Sequence, residues 1–113
     1  MDVTRANRFV TIKKGSEAVI EHEIKRSKFL GFARRTTTEN EARDFISELR
    51  KEHHEARHVC HAFVLGADRE IQRSSDDGEP AGTAGIPMLD AIVQRQTPHG
   101  IANLSDVCVI VVR

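Results

Sequence analysis

Three carboxylates fall within four residues at Asp76, Asp77 and Glu79, and two glycines, Gly82 and Gly85, follow just ahead of a segment patterned as a helix. Carboxylates clustered this way can hold a hard cation such as Mg²⁺ through oxygen ligands. They can also act as acid and base groups, or cap backbone N–H groups in a tight turn. The glycines allow N–H groups to turn inward, and a helix start adds partial positive charge, which outlines an anion site. No lysine follows the last glycine, so the segment is not a P-loop. At the level of residue types, function and turn chemistry stand even.

A second group is His58, Cys60 and His61, with His53 and His54 a few residues before it. Zinc would need a further Cys/His pair at ligand spacing, and none is present. Cys60 could act as a nucleophile with His58 as its base, although two side chains on one strand face usually belong to packing. Ser74 and Ser75 lie in no G-x-S-x-G motif. Lys25, Arg26, Lys28, Arg34 and Arg35 crowd one extended stretch, which could contact phosphates or be a solvated face.

The elements that must position these groups fit one small domain, because 113 residues can bury one core. Lys and Arg number 17, as do Asp and Glu, so net charge is zero. That argues against bulk attraction to DNA or membranes but permits a local basic patch. Five Phe with no Trp or Tyr weaken any reading as a stacking platform for bases. Cys60 and Cys108 sit inside apolar runs and read as reduced core thiols of a cytoplasmic protein. No signal peptide opens the chain, and the longest apolar run, residues 107–112, is too short to span a bilayer.

Residues 9–13 read as a short strand and residues 19–35 as two strand segments. Thr38-Glu39-Asn40-Glu41 has capping-box spacing, and Ala42, Phe45, Ile46 and Leu49 then recur on one helix face. The helix should end between Lys51 and Glu55. Residues 58–66 alternate as a strand, with His58, Cys60, Ala62 and Val64 on one side and Val59, His61, Phe63 and Leu65 on the other. Residues 67–85 read as a long loop, and loops of that length are often functional. Pro87 starts a second helix, which Pro98 to Gly100 end. Residues 107–112 are apolar on both parities, as a central strand covered on both faces should be. Phe45, Ile46, Leu49, Phe63, Leu89, Ile92, Val109 and Val111 are expected to form one core.

Three stretches together resemble the N-terminal domain of the YigZ/IMPACT family. They are Ser27-Lys28-Phe29, the run from Ala56 to Ala62 that fits A-x-H-x-C-x-A, and the acidic, glycine-rich segment from Ser75 to Pro87. The strand from Val109 to Arg113 resembles the one that leads, in the family, into a Tyr-Tyr-Gly-Gly segment. The resemblance covers about residues 20 to 113 and implies an α/β (α+β) fold: a small mixed sheet with two helices in a β-α-β arrangement similar to domain IV of elongation factor G and to ribosomal proteins. It implies a left-handed crossover, against the usual rule. Eukaryotic relatives bind a co-activator of a translation-initiation kinase, and bacterial relatives carry a second, ferredoxin-like domain.

The expectation is a regulatory binding module linked to translation control or to RNA or ribosome-associated partners, made of an extension over 1–18 and a family domain over 19–113. Its binding surface is read as His58, Asp76, Asp77, Gly78, Glu79, Gly82, Thr83 and Gly85, with no membrane partner and no resident cofactor beyond Mg²⁺ at the acidic segment. The alternative is a hydrolase-like enzyme using His58, Asp76 and Asp77 in the same cleft. The chain is expected to stop short of the family's second domain, which would expose an apolar strand and favour a homo-oligomer.

Overall fold

The computed structural model describes residues 9–11, 13, 17–24, 27–77, 84–94 and 103–113. The elements are β1 (Phe9–Val10), β2 (Glu17–Ile24), β3 (Ser27–Arg35), α1 (Glu39–Glu52), β4 (Val59–Leu65), β5 (Ile71–Ser75), α2 (Gly85–Val93), β6 (Asn103–Leu104) and β7 (Val107–Val112). Five strands make one sheet in the order β2-β3-β7-β4-β5, and every pair in it is antiparallel. Among the described residues, parallel pairing is confined to the short β1–β6 ribbon. β3 and β4 both run antiparallel to β7, which lies between them, so β3, α1 and β4 form a split β-α-β unit.

α1 starts where its cap chemistry places it. The Glu41 N–H donates to the Thr38 hydroxyl at 3.1 Å. The Glu41 carboxylate reaches back one residue further than a capping box requires, accepting from the Thr37 N–H at 2.7 Å. The helix ends at Glu52, with the His53 N–H returning to the Leu49 carbonyl. β7 is the central strand, as its unbroken apolar run demands.

The expected single core is two. On the α1 face, Ala42, Phe45, Ile46 and Leu49 pack on Val59, Phe63, Leu65, Cys108, Ile110 and Val112. On the other face, α2 lays Ile92 on Ala62, Val64 and Val107, with Leu89 and Val109 at the margin. A strand with a period of two must divide its side chains between faces. Val109 and Val111 therefore cannot share a core with Phe45, and their α1-facing neighbours Cys108 and Ile110 do so instead. All of β4 is buried for this reason. α2 does not reach across the whole sheet: Phe29, Gly31, Ala33, Val109 and Val111 line a shallow apolar groove of about 310 Å³ beside it.

The long loop read over residues 67–85 contains β5, which pairs with β4 from Leu65↔Ile71 to His61↔Ser75. Ile-Gln-Arg-Ser-Ser has no alternation to announce it, because an edge strand needs only one apolar contact, here Ile71. The connector from β5 to α2 is then residues 76–84, and its length alone no longer marks it as functional. β2 begins at Glu17, inside the stretch read as an extension. The residues expected to end the second helix, Pro98 to Gly100, lie outside the described residues.

Leu49 is 2% exposed beneath α1. Leu49→Ala should lower stability by about 2–5 kcal/mol, read as a drop in urea midpoint at unchanged slope; an unchanged midpoint would misplace the α1 face.

Candidate functional site

The segment Ser75-Asp76-Asp77 leaves the edge strand and lies against the start of β4. Asp77 adopts φ 46°, a left-handed turn residue, and its N–H donates to the Ser75 hydroxyl at 3.2 Å. Its carboxylate then does two things. Oδ2 accepts the Val59 N–H at 2.6 Å, and Oδ1 accepts from the Arg50 guanidinium of α1 at 3.0 Å. Burial alone would raise the Asp77 pKa, but the Val59 N–H and the Arg50 charge outweigh it and hold the carboxyl below its usual range.

Asp76 points the other way. Its Oδ1 accepts the Ala84 N–H at 3.0 Å and the Gly85 N–H at 2.6 Å. Ala84, at the N-cap position of α2, has no side-chain cap of its own, and Asp76 supplies one from eight residues upstream. Gly85 permits the approach: a Cβ there would lie 2.8 Å from the Ser75 backbone.

His58 and Cys60 complete the arrangement through the backbone of the same two aspartates. His58 Nδ1 lies 2.7 Å from the Asp77 carbonyl. A carbonyl only accepts, so Nδ1 carries the proton. The Cys60 thiol donates to the Asp76 carbonyl at 3.3 Å. The pairing of His58 with an aspartate carboxylate, or of a Cys60 nucleophile with His58 as its base, is therefore not the geometry found. Gly78, Glu79, Gly82 and Thr83 lie outside the described residues. Among the described residues, no three His, Cys, Asp or Glu side chains cluster closely enough to hold a metal ion. The cavity nearest this segment, about 280 Å³, is lined largely by apolar side chains, including Phe29, Pro87, Met88 and Val111. Both cysteines are free and buried, and burial pushes the Cys108 thiol up to about 12.

The basic stretch expected on the extended chain is not an open patch where it is described. Arg34 bonds Glu17 at 2.8 Å and Glu48 at 2.9 Å, and its guanidinium lies 4.0 Å from the Phe45 ring centroid. Lys25 and Arg26 lie outside the described residues. A basic surface missed in the sequence lies on the far flank of α1. There Arg43 sits over the Phe63 ring at 5.3 Å, near Arg50 and above the buried His61. Helical spacing places Arg43 and Arg50 on one flank, but β5 had to be recognised before Arg73 could join them. His61 is 5% exposed, stacks on Phe63, and has no partner for its Nδ1 among the described residues. Burial and the charges of Arg43 and Arg50 lower its pKa to about 4.

A profile of the Impact N-terminal domain matches residues 25–113. The IMPACT family member YvyE of Bacillus subtilis (strain 168) is 40% identical over 107 residues, which cover 93% of this chain and 44% of that protein. An IMPACT family member of Haemophilus influenzae is 41% identical over 100 residues, covering 87% of this chain and 45% of that one. The IMPACT family member YigZ of Escherichia coli (strain K12) is 47% identical over 72 residues, covering 62% of this chain and 35% of its own. A crystal structure of a hypothetical protein superposes with a TM-score of 0.76 at 37% identity, covering 88% of this chain and 46% of that one. The chain thus spans less than half the length of these relatives.

Two predictions follow the bonding of this segment. Asp76→Ala should uncap α2 and cost about 1 kcal/mol. Asp77→Ala should cost about 1–3 kcal/mol, because it strands the Val59 N–H, with Asp77→Asn milder since Asn also tolerates positive φ. Urea unfolding of the three variants checks the order. The second concerns acid. His61 titrates near 4 when folded and near 6.5 when unfolded, so the unfolded state binds the extra proton first. Stability from this group is complete above about 6.5 and is lost as pH falls toward 4. His61→Phe should flatten the fall in melting temperature across that window, and an unchanged profile would place the acid sensitivity elsewhere.

Proposed function

The chain belongs to the IMPACT family, matching its N-terminal domain, and from that premise we propose that it works as a regulatory binding module in translation, recognising an RNA or ribosome-associated partner. One observation carries the choice of binding over catalysis. The groups that an acid–base mechanism would use are engaged in holding elements together. The Asp76 carboxylate accepts from the start of α2, the Asp77 carboxylate accepts from Val59 and Arg50, and His58 donates to a backbone carbonyl. A module with these groups so occupied recognises its partner through surfaces that the elements present.

The link to translation is supported by the split β-α-β layout, which resembles domain IV of elongation factor G and several ribosomal proteins; that is an analogy of fold. Two free, buried cysteines fit a reducing compartment, and hence the cytoplasm. Among the described residues no helix is long and apolar enough to cross a membrane.

Sucrose-gradient sedimentation of a cell lysate tests the proposal. The chain should co-migrate with ribosomal particles at low salt and return to the light fractions after ribonuclease treatment. A chain that stays in the light fractions at every salt concentration would overturn the ribosomal reading.

A further inference from the structure

Net charge is zero, yet the charges are sorted across α1. One flank of the helix carries Glu41, Asp44 and Glu48, which line a cleft with Arg34 and Arg35 of β3. The opposite flank carries Arg43, Ser47 and Arg50, and its one acidic residue, Glu39, stands at the N-terminal end of the helix, a turn before Arg43. Arg43 and Arg50 are two turns apart, about 10 Å along the axis. α1 packs over β4, so the sheet beyond this flank is the α1-side face of β5. In the β4–β5 register, Arg73 stands beside Phe63 and Ser75 beside His61, and both strand partners face α1.

The result is a groove with Arg43 and Arg50 on one wall, Arg73 and Ser75 on the other, and Phe63 and His61 as its floor. Asp77 closes one end, its two oxygens engaged by the Val59 N–H and Arg50. Among the described residues neither Arg43 nor Arg73 has a carboxylate partner: Arg43 rests on the Phe63 ring and Arg73 donates to the Gln72 carbonyl at 2.9 Å. Arg50 spends one of its donors on Asp77 and has others left. The independent observation is His61. Its ring is buried, and its Nδ1 has no hydrogen-bond partner among the described residues. A buried polar group left unmatched costs stability, and of the four such side-chain atoms among the described residues, on Arg35, Thr36, His53 and His61, the His61 nitrogen is the one on the strand beneath Arg43.

We propose that this groove binds the phosphodiester backbone of a nucleic-acid strand, with Arg43, Arg50 and Arg73 contacting phosphates above an imidazole whose bonding capacity the fold leaves unspent; the proposal rests on the binding role above and names its surface. Guanidinium forks match phosphate oxygens, and serine hydroxyls are common phosphate partners. The floor rings are covered, Phe63 at 0% and His61 at 5% exposure, so bases have no platform to stack on and recognition is of the backbone. An acidic protein segment would bring the same charge, but a protein interface centres on exposed apolar anchors, which this flank does not offer.

The test is fluorescence anisotropy of a labelled single-stranded RNA of about 12 nucleotides, within the site sizes of small single-strand binders, titrated with the full chain at several salt concentrations. Arg43→Gln with Arg73→Gln should leave the urea midpoint near that of the unaltered chain, because neither side chain holds an ion pair there. It should weaken binding roughly tenfold or more and flatten the slope of log affinity against log salt by about 1.4, two contacts at about 0.7 each. Lys51→Gln, on the outer side of α1, should change affinity less than about twofold, as one screened distant charge. Single-stranded DNA of equal length separates the sources: equal binding places recognition on phosphate alone, a preference for RNA adds the 2′-hydroxyl, and either supports the groove. Affinity and slope unchanged in the double variant, no salt-dependent RNA binding by the unaltered chain, or displacement of RNA by poly-glutamate at matched charge would overturn it. Failure here is separable from failure of the binding role: if the double variant still co-migrates with ribosomal particles as well as the unaltered chain, the role stands and the groove falls.

Discussion

Two adjacent carboxylates hold the layers of this domain together. Asp76 reaches to α2 and Asp77 to β4 and α1, and the helices lie on opposite faces of the sheet. Consecutive residues leaving a strand point to opposite sides, so a pair of aspartates at the end of an edge strand can fasten both layers from one point. Each bond is charge-assisted, shorter and stronger than a neutral one. The close approach of Gly85 to Ser75 and the contacts of His58 and Cys60 with the aspartate carbonyls all require the turn that this pair defines.

This bonding explains why mutual repulsion between the two aspartates is tolerated. Neither shares a ligand with the other. Asp76 faces the positive end of a helix, where a negative charge is favoured, and Asp77 faces an arginine and an otherwise unpaired strand N–H. The same arrangement orders the surface around it. By bonding Arg50 at the end of β5, Asp77 fixes one arginine of the basic flank of α1, and α1 divides an acid-lined cleft on one side from arginines on the other. A chain of zero net charge thus presents a cationic surface, because attraction to a polyanion depends on the local arrangement of charge rather than on its sum.

The features that were legible in the sequence are those where local chemistry and burial agree. Thr38 to Leu49 carries a cap and an apolar stripe together, and α1 begins and packs as they require. Residues 107–112 have no polar member, and β7 is the central strand. β5 was not legible, because an exposed edge strand is held by its partner's backbone rather than by its own side chains. The single core failed on the same ground as it was inferred: parity along β7 assigns Val109 and Val111 to one face and Ile110 to the other, but nothing local says which face α1 covers.

The sequence by itself determined the class of fold, the two helices, the central strand and the family resemblance. It also pointed to residues 76–85 as a segment with unusual chemistry. Only the tertiary structure decided what that chemistry is for. The donors that meet Asp76 and Asp77 come from Ala84, Gly85, Val59 and Arg50, up to 27 residues away in the chain. A carboxylate's role as cap, ligand or base is set by which donors surround it. Arg43, Arg50 and Arg73 likewise belong to two elements that the chain order separates by β4, and they become one surface only once the β4–β5 register brings Arg73 beside Phe63.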